Sequence, residues 1–202
     1  MADTAWLLRI RGCAMQEAVP VGVGAMAALL GLNFEVATEV AHEAAQGEVC
    51  QAANDNDPAQ VVVSGHKAAV ERAVEIAKAR GAKRALLLPV SAPFHCALMQ
   101  PAAHVMAEAL GAVVVEKPVV PVVVNVRAEA VTEPDRIRDL LVAQVTGSVR
   151  WRESVLWMEG AGVTEFWEIG AGKALSGMIK RIAAGAVTRA VGTPEDVIAA
   201  KG

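Results

Sequence analysis

Several things are scarce or missing in this chain, and most of these absences remove a class of function. Basic charge is not in excess: 19 Lys and Arg stand against 22 Asp and Glu, a net charge of -3, so no global field draws in nucleic acid. Hydrophobic residues make up 54% of the 202 positions, yet no apolar run reaches the roughly 18 residues that a membrane span needs. With aromatics at 3% and no tyrosine, that hydrophobic fraction is almost wholly aliphatic. The first residues carry acid and arginine without an apolar centre, so a signal peptide is not expected. Cys13, Cys50 and Cys96 are odd in number and widely spaced, which predicts reduced thiols in a cytosolic compartment. No C-x-x-C pair and no metal-site histidine spacing occurs, so no metal is expected. Internal repeats and low-complexity tracts are absent too, and the length suits one domain or a core with a smaller insert.

What is present alternates between two periods. Asp3 to Val19 reads as a helix with Leu7, Ile10 and Ala14 along one face, broken by Pro20, Gly22 and Gly24. Ala25–Leu30 is a short apolar run, and Phe34–Gln46 a helix with Ala37, Val40, Ala41 and Ala44 on its stripe. Val49–Ala53 reads as a strand ended by Asn54-Asp55-Asn56-Asp57-Pro58, a run of turn formers. Gln60–Val63 is a β-branched strand closed by Ser64-Gly65. Lys67–Arg80 is a helix burying Val70, Ala73, Val74 and Ala77, and Ala85–Leu88 is a last strand. That order, β-α-β-β-α-β, is the split unit of ferredoxin-like folds, expected here as an inserted subdomain. Beyond it lie a helix through Leu98, Ala102, Val105, Met106, Ala109 and Leu110, and a buried strand over Val119–Val126. Helices over Pro134–Val145 and Trp151–Glu159, a strand over Val163–Ile169 and a helix bearing Leu175, Met178, Ile179 and Ile182 complete the chain. Strands alternating with helices predict an α/β fold with a partly parallel sheet.

The reactive chemistry gathers around Leu88–Met99. A strand stops at Pro89, and a loop with Ser91, Pro93, Phe94 and His95 leads into a helix, the place where α/β proteins collect functional groups. Prolines restrict that loop, so the imidazole is held. Taken alone, such a histidine is more often a hydrogen-bonded structural residue. Cys96 next to it is excluded as a thiol partner, because neighbours in sequence point apart. Gly170-x-Gly172-Lys173 lacks the P-loop spacing, the following Ser or Thr and a third glycine, and reads as a tight strand-to-helix turn. Arg11 can pair with a carboxylate in bidentate fashion, although an arginine on a helix is usually solvated.

Five stretches together carry a family likeness: R-G-C-A-M-Q-E-A-V-P from Arg11, G-V-G-A-M-A-A-L-L-G over Gly22–Gly31, Q-V-V-V-S-G-H-K over Gln60–Lys67, G-A-K-R-A-L-L-L-P-V-S-A-P-F-H-C-A-L-M over Gly81–Met99, and E-I-G-A-G-K over Glu168–Lys173. In this order they resemble the malonyl-CoA:acyl-carrier-protein transacylases over nearly the whole chain. The resemblance implies an α/β, hydrolase-like core, incomplete here and formed by residues 1–19 and 89–202, with the ferredoxin-like βαββαβ subdomain at 20–88. It implies that His95 is the base serving a nucleophilic serine, with the main-chain carbonyl of Gln144 setting its tautomer. It further implies that Arg11 grips the malonyl carboxylate and that Phe94 marks a malonyl-selecting member. Lys180 and Arg181, with Lys83 and Arg84, would meet an acidic acyl carrier protein. No cofactor is implied beyond the coenzyme A thioester that serves as substrate; the partners are malonyl-CoA and acyl carrier protein, with neither nucleic acid nor membrane.

The departure from that family is equally definite. Its G-H-S-x-G nucleophile elbow and G-Q-G-S-Q oxyanion motif do not occur, and Ser64, Ser91, Ser148, Ser154 and Ser176 all fail G-x-S-x-G. The chain reads as the C-terminal portion of a transacylase, holding base and clamp without nucleophile. Part of a longer enzyme, a fragment completed by a separate N-terminal segment and an inactive remnant are the three accounts, and the completeness of the retained motifs favours the first. The competing function is a module that binds malonyl-CoA or carrier protein without turnover. A portion without its neighbouring strands is also expected to expose apolar surface and an open sheet edge.

Overall fold

Asn33 stands just before an apolar-periodic run and accepts a hydrogen bond from Val36 N at 2.9 Å, which caps the helix α2 (Phe34–Ala45). This helix joins strand β1 (Gly24–Leu30) to β2 (Cys50–Asp57), which turns back into β3 (Gln60–His66). Helix α3 (Lys67–Ala79) and strand β4 (Arg84–Leu87) follow. In the computed structural model, which describes residues 2–200, these strands form one sheet in the order β2-β3-β1-β4, with every neighbouring pair antiparallel. Both helices cover one face of it. The alanines and valines of α2 and α3 pack on Ala27, Leu29, Val61 and Val63, all fully buried. Each valine or leucine so buried contributes about 1.5–3 kcal/mol.

Strand β2 corrects the sequence reading. The turn formers Asn54 to Asp57 do not end it; the strand continues to Asp57, with register shifts at Ala52/Asn54 and Asp55/Asp57. Tertiary pairing overrides local propensity here. Asp55 is fully buried and takes Arg152 Nε at 3.1 and 2.9 Å on its two oxygens. Asp57 accepts Arg181 Nε at 2.8 Å on one oxygen and Ala59 N at 2.9 Å on the other, the latter making the β2–β3 turn. Ser64-Gly65 likewise lies inside β3 rather than closing it. Gly65 is required there: a Cβ would stand 2.0 Å from the Val49 carbonyl oxygen.

The remaining elements form several smaller apolar clusters. Helix α1 (Ala2–Glu17), a 3₁₀ turn (Ala97–Met99) running into α4 (Gln100–Gly111), and α5 (Pro134–Thr146) share a core of Ala14, Met15, Met99, Ala102, Met106, Leu110 and Val145. A hairpin of β5 (Val122–Val124) and β6 (Glu129–Val131) leads on to α6 (Trp151–Gly160). Then β7 (Glu165–Ile169), α7 (Ala174–Ile182), β8 (Val187–Val191) and the short α8 (Pro194–Ala199) close the described chain. The parallel pairing is between β7 and β8 and is two strands wide. The predicted buried strand over Val119–Val126 shrinks to three residues, because Val119 and Val120 have nothing to pack against and stand exposed. Trp167 and Ile169 of β7 are also exposed, and among the described residues no strand pairs with the other edge of β7. The chain is a mixed α/β fold. No helix among the described residues is long and apolar enough to cross a membrane.

Candidate active site

The loop after β4 is held before it reaches the histidine. Pro93 is fully buried over Gly24, where a Cβ would lie 2.3 Å from the proline Cγ, so only glycine admits this approach. Phe94 N donates to Ala92 O at 3.1 Å, and the Cys96 thiol donates to Pro93 O at 3.2 Å. Burial raises the Cys96 thiol above its ordinary value, which leaves it a packed hydrophobe and no nucleophile. Between them His95 takes φ +58°, the left-handed region, which costs a non-glycine residue on the order of 1 kcal/mol or more. The prolines alone do not dictate that conformation.

The left-handed turn brings the imidazole to α5. His95 Nδ1 lies 3.0 Å from the main-chain oxygen of Gln144, 49 residues on in sequence. A carbonyl only accepts, so Nδ1 carries the proton and Nε2 presents its lone pair. The Gln144 side chain is turned elsewhere and donates to Gly147 O at 3.2 Å. Burial lowers the His95 pKa below the ordinary histidine value; the Gln144 carbonyl opposes that shift and the charge of Arg11 adds to it. The ring is therefore neutral at pH 7 and competent as a base.

Arg11, Phe94 and His95 line one cavity of about 270 Å³, together with Gly12, Met15, Gln16 and Ser91. Arg11 also borders a second, more apolar hollow of about 390 Å³ with Leu7, Leu8, Met106, Leu110, Leu141 and Gln144. Helix α1 delivers Arg11 and Met15 from one face, since they are four residues apart. Met15, Gln16 and Ser91 were not singled out as site residues from the sequence; the i, i+4 spacing from Arg11 is the signal that finds Met15. The Arg11 guanidinium has no carboxylate partner among the described residues. Ser91 makes no hydrogen bond to the imidazole, so it is not poised as a nucleophile.

The four basic residues do not form one patch. Lys83 and Arg84 begin at β4, one edge of the four-stranded sheet, whereas α7 with Lys180 and Arg181 packs on β2 at the opposite edge. Arg181 is exposed on one side while its guanidinium is bound to the buried Asp57 and holds α7 against β2. Lys83, Arg84 and Lys180 are exposed. At Gly170–Lys173 the glycines take φ +140° and +92°, and the carboxylate of Glu168 accepts from Leu175 N at 3.1 Å and Ser176 N at 2.8 Å. The N-terminus of α7 is thus filled by the protein's own anion, which would repel a phosphate. Among the described residues no group of three His, Cys, Asp or Glu side chains is placed to hold a metal ion.

The chain as a whole has counterparts in known proteins. The malonyl CoA-acyl carrier protein transacylase of Escherichia coli K12 is 48% identical over 199 residues, covering 98% of this chain and 64% of that protein. The crystal structure of acyl-carrier-protein-S-malonyltransferase from Bartonella henselae superposes with a TM-score of 0.94 at 53% identity, over 98% of this chain and 63% of that one. A malonyl-transacylase solved in complex with its type II polyketide acyl-carrier protein gives a TM-score of 0.93 at 44% identity, over 96% and 63%. The chain therefore spans a little under two thirds of the length of these relatives. The model of the acyl transferase domain matches residues 1–185, and on that match this chain belongs to the acyl transferase domain family.

Proposed function

We propose that this chain carries the base and the carboxylate clamp of an acyltransferase that moves malonyl from coenzyme A to acyl carrier protein in fatty-acid synthesis, in the cytoplasm. The observation that carries this reading is the shared cleft: a cation without a carboxylate partner among the described residues and a neutral, tautomer-fixed imidazole line the same cavity. In this reading Arg11 takes the free malonyl carboxylate through two parallel charge-assisted hydrogen bonds. Nε2 of His95 takes the proton of a serine hydroxyl as it attacks the thioester carbonyl, and returns it to the leaving thiolate. Gln144 holds the ring through its carbonyl, in the place an acid occupies in a triad. Phe94 narrows the acyl pocket in favour of malonyl. The nucleophile and oxyanion donors are no part of this sequence, so transfer needs the part of the family fold that the chain does not span.

The same reading assigns the architecture. Residues 20–88 form a ferredoxin-like subdomain set into a hydrolase-like core of residues 1–19 and 89–202. Its support is the β-α-β-β-α-β order and the antiparallel strand order β2-β3-β1-β4. Carrier docking falls to Lys180 and Arg181 on one side and Lys83 with Arg84 on the other. Coenzyme A enters as substrate, and no further cofactor is required.

The clamp is tested by calorimetric titration with malonyl-CoA and acetyl-CoA, which differ by the carboxylate. Arg11→Ala is expected to lose malonyl-CoA affinity by roughly 10- to 100-fold while acetyl-CoA binding is unchanged. Equal affinity of both proteins for malonyl-CoA overturns the clamp. Mixing the chain with the first third of the E. coli relative and weighing the carrier protein separates turnover from binding: a malonyl gain on the carrier supports the transferase, and tight binding without gain supports a non-catalytic module.

A further inference from the structure

Both halves of the imidazole–carbonyl pair are tied to the same three residues of β2. On the histidine side, Gln51 Oε1 accepts a hydrogen bond from Ala97 N at 2.7 Å, two residues beyond His95. On the carbonyl side, Ser148 Oγ donates to Ala52 O and Val149 N donates to Ala53 O at 2.8 Å, four and five residues beyond Gln144. One short piece of β2 thus sets the distance between two segments that are 49 residues apart in sequence. The ties at Ala52 and Ala53 run to main-chain carbonyls and need no particular side chain on β2. Gln51 contributes through its side chain, and that makes it specific.

The bond it makes is the one the histidine loop lacks. Ala97 opens the 3₁₀ turn, and the first amides of a helical run have no partner within it. Cys96, in the capping position, offers no side-chain acceptor to them, since its thiol is turned back to Pro93 O. Gln51 therefore caps this turn from outside. The flank before His95 is fixed by Pro93 on Gly24 and the flank after it by Gln51, and between the two sits the left-handed residue. A left-handed non-glycine residue persists only where its surroundings over-determine it. With the second flank released, the backbone at 95 can relax toward the ordinary regions and swing Nδ1 off the Gln144 carbonyl.

We infer that Gln51 is a positioning residue for His95: its amide oxygen, anchored on β2, keeps the left-handed histidine on the Gln144 carbonyl, so that Nδ1 donates and Nε2 remains the proton acceptor. The inference rests on the reading of His95 as the base, but its readout, the ring's tautomer, needs no turnover.

The test is nitrogen-15 histidine NMR on the full chain, with His95→Gln used to assign the ring among His42, His66, His95 and His104. The unsubstituted protein is expected to show His95 as the Nδ1-protonated tautomer alone. In Gln51→Ala that tautomer falls by about tenfold relative to the other, the worth of one hydrogen bond. Gln51→Glu, which still offers an oxygen to Ala97 N, restores it. Gln51→Met removes the acceptor at nearly constant size and repeats the loss should alanine loosen the strand. A locked tautomer in both Gln51→Ala and Gln51→Met, with only a lower melting temperature, overturns the inference and leaves Gln51 a helix cap. A mixed tautomer already in the unsubstituted protein overturns both this inference and the reading of His95. Failed acyl transfer with the tautomer still dependent on Gln51 overturns the proposed function alone.

Discussion

At the seam where β2 meets α6 and α7, two arginines are bound to the protein's own carboxylates; in the cleft beside His95, Arg11 has none among the described residues. The side-chain type is the same and the surroundings decide its use. Arg152 meets both oxygens of the fully buried Asp55, and those hydrogen bonds hold its guanidinium firmly charged. Its charge is answered, so the seam is structure. Arg11 stands over a cavity with its charge unanswered, next to an imidazole whose proton position is fixed. An arginine facing a hollow without a carboxylate of its own is arranged for an anion that arrives from outside.

The contrast can be broken most severely at the seam. Arg152→Ala leaves the Asp55 carboxylate buried without its partner and is expected to lose about 3–5 kcal/mol of stability in urea unfolding at pH 7. Replacing both residues by leucine is expected to recover most of that loss, since no lone charge remains. At the cleft the same arginine-to-alanine change works the other way round. Arg11→Ala should leave urea stability within about 0.5 kcal/mol, as for a side chain without structural partners, while removing the malonyl preference. A stability loss as large as that of Arg152→Ala would place Arg11 among the structural arginines.

A smaller effect lies in pH. The folded-state pKa of His95 is lowered, so above the ordinary histidine value of about 6.5 the ring is neutral in both folded and unfolded chains and contributes nothing to pH dependence. As pH falls below that value the unfolded chain takes up the proton first. Stability therefore declines until the folded pKa is passed, and is level below it. Melting curves from pH 7.5 downward should show this decline, and His95→Gln should lack that part of it. Arg11→Ala should move the decline to a narrower range, because removing the arginine charge lets the His95 pKa rise.

The smallest effect concerns the thiols beneath the cleft. Cys96 is buried and its pKa raised, and burial pushes Cys50 up to about 11, whereas Cys13 is exposed. A disulfide reagent at pH 8 should modify Cys13 alone in the native protein. Rapid labelling of Cys96 would mean that the histidine loop opens in solution and that the imidazole beside Arg11 is not held.

The elements carried by periodicity were legible in the sequence: α2 and α3 by their alanine and valine stripes, and β3 by its β-branched run. Arg11, Phe94 and His95 could be picked out as residue types, and they do line one cavity. The errors fell where partners are distant. Asn54 to Asp57 are turn formers by local preference and became strand, because Arg152 and Arg181 reach them from about 100 residues away. Val119 and Val120 read as buried because they are apolar, and no element among the described residues covers them.

By itself the amino-acid sequence determined the order of helices and strands along the small sheet and the absence of a serine elbow. These are properties of neighbouring residues, and local sterics and periodicity are enough to settle them. Only the tertiary structure decided which arginine is answered and which is left for a ligand, and that His95 turns left-handed onto a carbonyl 49 residues away. Burial and charge pairing are set by whatever the fold brings within a few ångströms, and nothing in the local chain encodes that meeting.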